Sequence, residues 1–290
     1  MDHIFSGIPR DRISLNTMIR NHYALSPILN GVIQFHSSYP ISEFMIEASP
    51  DKYDCCMSIL KALDLAECKN DSFKPGANLL QLSKEYWLLG EVFPLIKFDN
   101  VGCNSGITLL NPDAIFIKND MFTKSRRITL RPEPTLLKLI KSNNPADVAI
   151  KNKMSPEFID SVKEGNVLLD NEEVSHIIRL ISPYDLRGTS IILPVLKELI
   201  LFEKLRETSD PTDWCVDSIY RGLMFSKSSI HNANMAYVDY RRRISRWLLH
   251  SVLFPIMKQN FSIESEEISI KWKDIDLDEL KSHLWSEKSV

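Results

Sequence analysis

Two long helical patterns in the second half of the chain constrain it most. One runs from about Thr189 to Glu207, the other from about Asn232 to Lys258. The later pattern is about 27 residues, roughly 40 Å at about 1.5 Å per residue. The earlier one carries Ile191, Ile192, Leu193, Val195, Leu196, Leu199, Ile200, Phe202 and Leu205, which cover more than the single apolar stripe of ~100° expected of a surface helix. A helix apolar on more than one side needs more than one packing partner. A sheet of the same chain would serve, and so would a neighbouring subunit. Thr208 to Asp213 is a short polar break, followed by a predicted helix over Asp213 to Phe225.

The first half reads as helices followed by a small sheet. Ser26-Pro27 is a helix start, with a hydroxyl N-cap and a proline at the first helical position, where its missing N–H costs nothing. A second helix is predicted from Pro50 to about Glu67, and a third from Ala77 to Leu89, ended by Gly90 as the C′ glycine. From Glu91 the period changes. Glu91 to Phe98, Ile107 to Leu110 and Ala114 to Lys118, separated by Asn-, Gly- and Asp-rich turns, predict a three-stranded antiparallel meander. A Pro- and Asn-rich stretch from Arg131 to Pro145 holds a short helix. Ser155-Pro156 opens another, closed by Gly165, and Val174 to Leu180 reads as a strand. The fold class is therefore α+β, mainly helical.

Composition narrows the function. With 35 Lys and Arg against 38 Asp and Glu, the net charge of −3 makes any nucleic-acid contact a matter of local patches. Five cysteines, two of them adjacent at Cys55 and Cys56, read as buried thiols of a reducing compartment. The sequence begins without a charged and then apolar leader, and its apolar tracts fall short of the ~20 residues that a membrane span needs. A soluble protein without membrane contact is expected.

The seven histidines form no zinc pattern, there is no nucleophile elbow, and no Gly-rich phosphate loop with its lysine is present. Glu91 and Asp113, at the ends of predicted strands, suggest a metal-dependent nuclease, yet Phe116-Ile117-Lys118 supplies an apolar residue where a further carboxylate would be needed. No catalytic residue, metal or cofactor is expected. The basic signal is Arg241, Arg242, Arg243 and Arg246 within the long helix. Consecutive arginines point around most of a helix, so the cluster reads either as a solvated face with ion pairs or as a phosphate or subunit contact. Before it, Ser226 to Asn234 reads as a polar loop.

Taken in order, several segments resemble the portal protein (head-to-tail connector) of tailed bacteriophages, in the form found in large myophage-like viruses. They are Asn21 to Ile33 with Tyr39-Pro40-Ile41-Ser42; Glu85 to Pro94 leading to Leu110-Asn111-Pro112-Asp113; Leu180 to Ser190 running into Phe202 to Glu207; and Ile219 to Phe225, Asn232-Ala233-Asn234 and Leu253 to Ile256. The resemblance implies a wing-like α+β region over residues 1–188, a shortened stem over 189–213, a tunnel loop and long helix over 214–260, and a tail over 261–290 containing a strand or helix. It implies a dodecameric ring at a capsid vertex of the virion, assembled in the host bacterial cytoplasm, through which double-stranded DNA is packaged and ejected. Lys227, His231, Asn232 and Asn234 would line the channel, and the major capsid protein would surround the ring. The clip that docks terminase and neck proteins in such portals is replaced here by Thr208 to Asp213, so weakened or altered docking is expected. A non-enzymatic α/β scaffold or binding protein of unknown partner is the alternative.

Overall fold

The computed structural model describes residues 8–69, 72–98, 104–119, 126–152, 156–170, 173–179, 185–196, 199–200, 229–260 and 268–274. The architecture is α+β and mainly helical. Helices α1 (Arg12–Leu25) and α2 (Pro27–Ser38) are followed by a 3-10 turn, strand β1 (Phe44–Glu47) and α3 (Pro50–Ala62). Then come β2 (Ala66–Lys69), β3 (Ser72–Pro75), α4 (Ala77–Leu89), β4 (Glu91–Phe98), β5 (Asn104–Leu110), β6 (Ile115–Asn119) and β7 (Arg126–Leu130). Next are α5 (Pro134–Lys141), α6 (Pro145–Lys151), α7 (Pro156–Glu164), β8 (Val167–Leu168) and β9 (Ile177–Ile178). Last are α8 (Ser229–Trp247), α9 (Phe254–Asn260) and β10 (Ser269–Trp272).

Local chemistry accounts for the helix ends. Asp11 caps α1 by accepting from the Ser14 N–H at 2.8 Å, and Ser26 caps α2 through the Leu29 N–H, with Pro27 in the first turn. Helix α4 stops at Gly90, which adopts φ +84° while its N–H returns to the Tyr86 carbonyl. That turn is also crowded: a Cβ on Gly90 would lie 2.2 Å from the Thr189 backbone, and one on Gly188 would lie 1.9 Å from the Gly90 carbonyl oxygen. Two glycines therefore let the chain cross itself at van der Waals distance.

Three sheets result. The first has the order β10-β1-β3-β2, the second β5-β4-β9 and the third β6-β7-β8. The predicted meander is thus corrected. β4 and β5 pair, with Phe93 opposite Leu110 and Ile96 opposite Ile107. Ile115 to Asn119, however, turns away through the 3-10 helix Pro112–Ala114 and pairs with β7 instead. Pro112 locks the turn and Asn111 accepts from the Asp113 N–H, which redirects the strand.

A second correction concerns the helix expected from Thr189. Residues 189–192 are not helical; helix begins with the 3-10 turn Leu193–Val195, where Pro194 sits in the first turn. Proline lacks the N–H that an interior position would need. The preceding residues run beside α4 instead, with the Ile191 N–H donating to the Trp87 carbonyl at 3.4 Å. Ile192, Leu196 and Leu199 are buried in the main core of this same chain, so up to residue 200 the broad apolar face has an internal partner. Phe202 and Leu205, the polar break and the predicted helix 213–225 lie outside the described residues.

The long helix has the predicted extent with an interruption. α8 passes into a π-helical segment, Leu248–Leu253, and then into α9. Pro255 explains the placement: its ring cannot sit against the Ser251 carbonyl one α-turn earlier, and a widened turn gives it room. Tyr237, Tyr240, Ile244, Leu248 and Val252 enter the main core, where Tyr240 stands 4.5 Å from Tyr86 and 5.4 Å from Trp87, ring to ring. Finally β10, from the predicted tail, pairs antiparallel with β1, Phe44 opposite Trp272 and Glu47 opposite Ser269.

Candidate functional site

Two sites stand out, a buried ionic knot at Glu91 and the outer face of the long helix. Glu91 opens β4 straight after the Gly90 turn, and its side chain is fully buried. Arg187 grips it in bidentate fashion, with Nη2 at 2.6 Å from Oε1 and Nε at 3.1 Å from Oε2. Arg12 Nη2 lies 2.8 Å from Oε1. Oε2 accepts from the Gly188 N–H at 3.0 Å and faces His176 Nε2 at 3.2 Å. The spare guanidinium protons of Arg187 go to the Ile115 and Pro112 carbonyls at 2.7 and 2.8 Å. Phe93 lies against this group, with the His176 ring stacked 4.4 Å away and the Arg187 guanidinium 5.6 Å from its centroid.

The electrostatics follow. Burial pushes the Glu91 carboxyl up, but hydrogen bonds from His176 and Arg187 and the charges of Arg187 and Arg12 outweigh it and hold the group at about 2. Asp113, the other suspected metal ligand, is bound by Arg20 and by the Asn16 amide. Both carboxylates of the nuclease idea are therefore occupied by cations. Among the described residues, no group of three or more His, Cys, Asp or Glu is placed to hold a metal ion. The sequence singles out Glu91 and Asp113 as possible ligands, but its spacing does not point to Arg12, His176 and Arg187 as neighbours of Glu91 or to Arg20 and Asn16 as those of Asp113.

The four arginines of the long helix divide. Arg241 turns inward: its Nε donates to the Pro40 carbonyl, and its guanidinium lies 5.8 Å from the Trp272 ring centroid. Arg242, Arg243 and Arg246 share the outer face with exposed Met235 and Val238. Arg243 Nε is tied to Asp239 one turn back at 2.7 Å. Beside this face a cleft of about 330 Å³ opens between the long helix and the strand β9 region, lined in part by Arg243, Arg246, Trp247, His250, Ser175 and Ser251.

Of the predicted channel residues, Lys227 lies outside the described residues. His231, Asn232 and Asn234 fall in the first turns of α8, since that helix begins at Ser229. The polar loop expected over Ser226 to Asn234 is shorter at its end than predicted, because no Gly or Pro between Ser226 and Trp247 stops the helix from extending back. Among the described residues no helix is long and apolar enough to cross a membrane.

No family model matches the chain, and no curated protein does. Solved structures give weak likenesses. A chain from the virion of a native gene transfer agent particle is 12% identical at TM-score 0.36, covering 96% of this chain and 89% of that one. A chain from the neck of an empty gene transfer agent particle is 13% identical at TM-score 0.36, with the same coverage. An HK97-family phage portal protein from Corynebacterium diphtheriae is 11% identical at TM-score 0.27, covering 91% and 96%. Superpositions scoring below 0.5 do not establish a common fold.

Proposed function

We propose that the chain is a structural, portal-like subunit that assembles into a ring at a capsid vertex and guides double-stranded DNA without catalysis of its own. The observation that carries this reading is where the resembling segments meet. Glu91 comes from Glu85 to Pro94, the Pro112 carbonyl from Leu110 to Asp113, and Arg187 and Gly188 from Leu180 to Ser190. Distant in sequence, they share one buried network. Scattered chance matches would have no reason to converge on a single ion pair.

Such a knot suits a load-bearing subunit, since a bidentate, multiply bonded guanidinium fixes the angle between the elements that it joins. Exposed apolar side chains give a ring the surface that it needs. Ile13 is 50% exposed and Leu25 80% exposed on or at the end of α1, and Met235 is 59% exposed on α8. In this picture Lys227, His231, Asn232 and Asn234 approach the DNA, the major capsid protein surrounds the ring, and docking of terminase and neck proteins is weakened by the short Thr208 to Asp213 connection.

Light scattering on the eluting protein and negative-stain imaging test the reading. A closed ring of many copies, dodecameric by the resemblance, is expected at micromolar concentration. Leu25→Asp and Met235→Asp should shift it toward monomer while leaving the thermal transition within a few degrees. A wild-type chain that stays monomeric under these conditions overturns the proposal.

A further inference from the structure

The cleft beside the long helix has a chemistry that the ring reading leaves unused. Arg243 and Arg246, one turn apart, bring two guanidinium groups to its wall, and His250 adds an imidazole one turn further on. Ser175 and Ser251 contribute hydroxyls that already touch each other, with their oxygens 3.1 Å apart. Trp247 belongs to a largely apolar floor, His176 lines the cleft with its Nε2 turned to Glu91, and among the described residues no acidic side chain lines it. Asp239 reaches Arg243 from the previous turn through Nε, which holds that guanidinium in place. Arg246 is exposed.

A second observation coincides with the first. The π-helical segment Leu248–Leu253 lies at this cleft and contains both His250 and Ser251. An added residue in a helical turn changes which side chains share a face, and such widened turns recur where a protein presents groups to a ligand. Here the change puts an imidazole and a hydroxyl beside two arginines, facing a serine from the strand side. Cationic forks, neutral donors and an open mouth without carboxylates are the requirements of a tetrahedral oxyanion.

We infer that this cleft binds a phosphate group, held by Arg243 and Arg246 with donors from His250, Ser175 and Ser251. The phosphate could belong to a nucleic-acid backbone or to a small phosphorylated molecule; the chemistry on the protein side is the same. The site does not depend on ring formation, so a chain that fails to assemble can still carry it, and a chain that assembles can lack it.

The test is calorimetric titration of inorganic phosphate into the full chain at constant ionic strength, repeated on three variants. Saturable binding is expected, weakened about tenfold or more by Arg246→Gln or Arg243→Gln, as loss of a charged hydrogen bond implies. It should be unchanged by Arg242→Gln, which removes the same charge from the same helix at a position that does not line the cleft. All three positions lie at least partly open to solvent, and a preserved thermal transition checks their folding. Adding a short duplex DNA identifies the source: displacement of phosphate by the duplex points to a backbone, and its failure points to a small ligand. No saturable phosphate binding, or equal weakening by Arg242→Gln, overturns the inference.

Discussion

His36 and Glu91 are both buried, yet their surroundings treat charge in opposite ways. His36, on α2, sits among aromatic rings. Trp87 lies 5.2 Å away, ring to ring, and the Tyr237 hydroxyl is 3.0 Å from Nδ1. Glu91 sits among cations. Burial acts on both by disfavouring charge, and at His36 it wins: burial, helped by the nearby charge of Arg179, lowers the imidazole from its usual 6.5 to about 3, so it stays neutral. At Glu91 the same penalty is overcome, and the group stays ionised. What a buried side chain does depends on whether its neighbours can stabilise its charge, not on how deeply it lies.

Glu91→Gln strikes that contrast hardest. It leaves the partly buried Arg187 and Arg12 facing a neutral amide where the buried carboxylate stood, and removal of one partner from a fully buried pair costs about 3–5 kcal/mol, an upper bound here. Against total stabilities of roughly 5–15 kcal/mol, urea unfolding should show a large drop in midpoint. An unchanged midpoint would mean that the knot is incidental. Gly188→Ala should come next, at about 1–3 kcal/mol as an overpacking change, because the new Cβ meets a backbone carbonyl that cannot move aside; thermal unfolding measures it.

Acid separates the two groups. Both hold fewer protons folded than unfolded, so both lose stability as pH falls, in different windows. For His36 the loss begins below 6.5 and continues toward about 3; for Glu91 it begins below 4.5 and continues toward about 2. Each single group contributes a slope of at most about 1.4 kcal/mol per pH unit. Denaturation midpoints between pH 7 and pH 5 should therefore fall in the wild type and flatten in His36→Gln, whereas Glu91→Gln should keep that slope. The smallest effect is expected for Tyr237→Phe, about 1 kcal/mol for one hydrogen bond. A larger loss would show the aromatic core to be as dependent on polar contacts as the knot.

How much of this was legible depends on range. Helix α4 could be read to its last residue, because apolar spacing and the Gly90 stop are both local signals. The cap at Ser26-Pro27 likewise lies at the start of a helix in the fold, and Pro156 is the first residue of another. Strand β1 was not legible, since its partners are β3 and β10, and a four-residue strand has too little alternation to stand out. The knot was half legible. Glu91 stands out as a charge at the head of an apolar strand, and Arg187 lies in one of the resembling segments. Nothing in spacing joins residues so far apart, and a carboxylate awaiting a metal looks the same in sequence as one awaiting an arginine. The split among the four arginines was hidden for a similar reason: Arg241 turns inward because Pro40 and Trp272 are there to receive it.

The pairing of β10 with β1 also sets the order of events during synthesis. Strand β1 has β3 on one side soon after it is made, but its other hydrogen-bonding edge waits for residues 269–272. Until these emerge from the ribosome, Phe44 lacks the Trp272 ring that lies 5.0 Å from it in the finished fold, and the nascent chain carries an open edge that chaperones or sister chains can occupy. Completion of this sheet therefore waits until residues 269–272 have been translated.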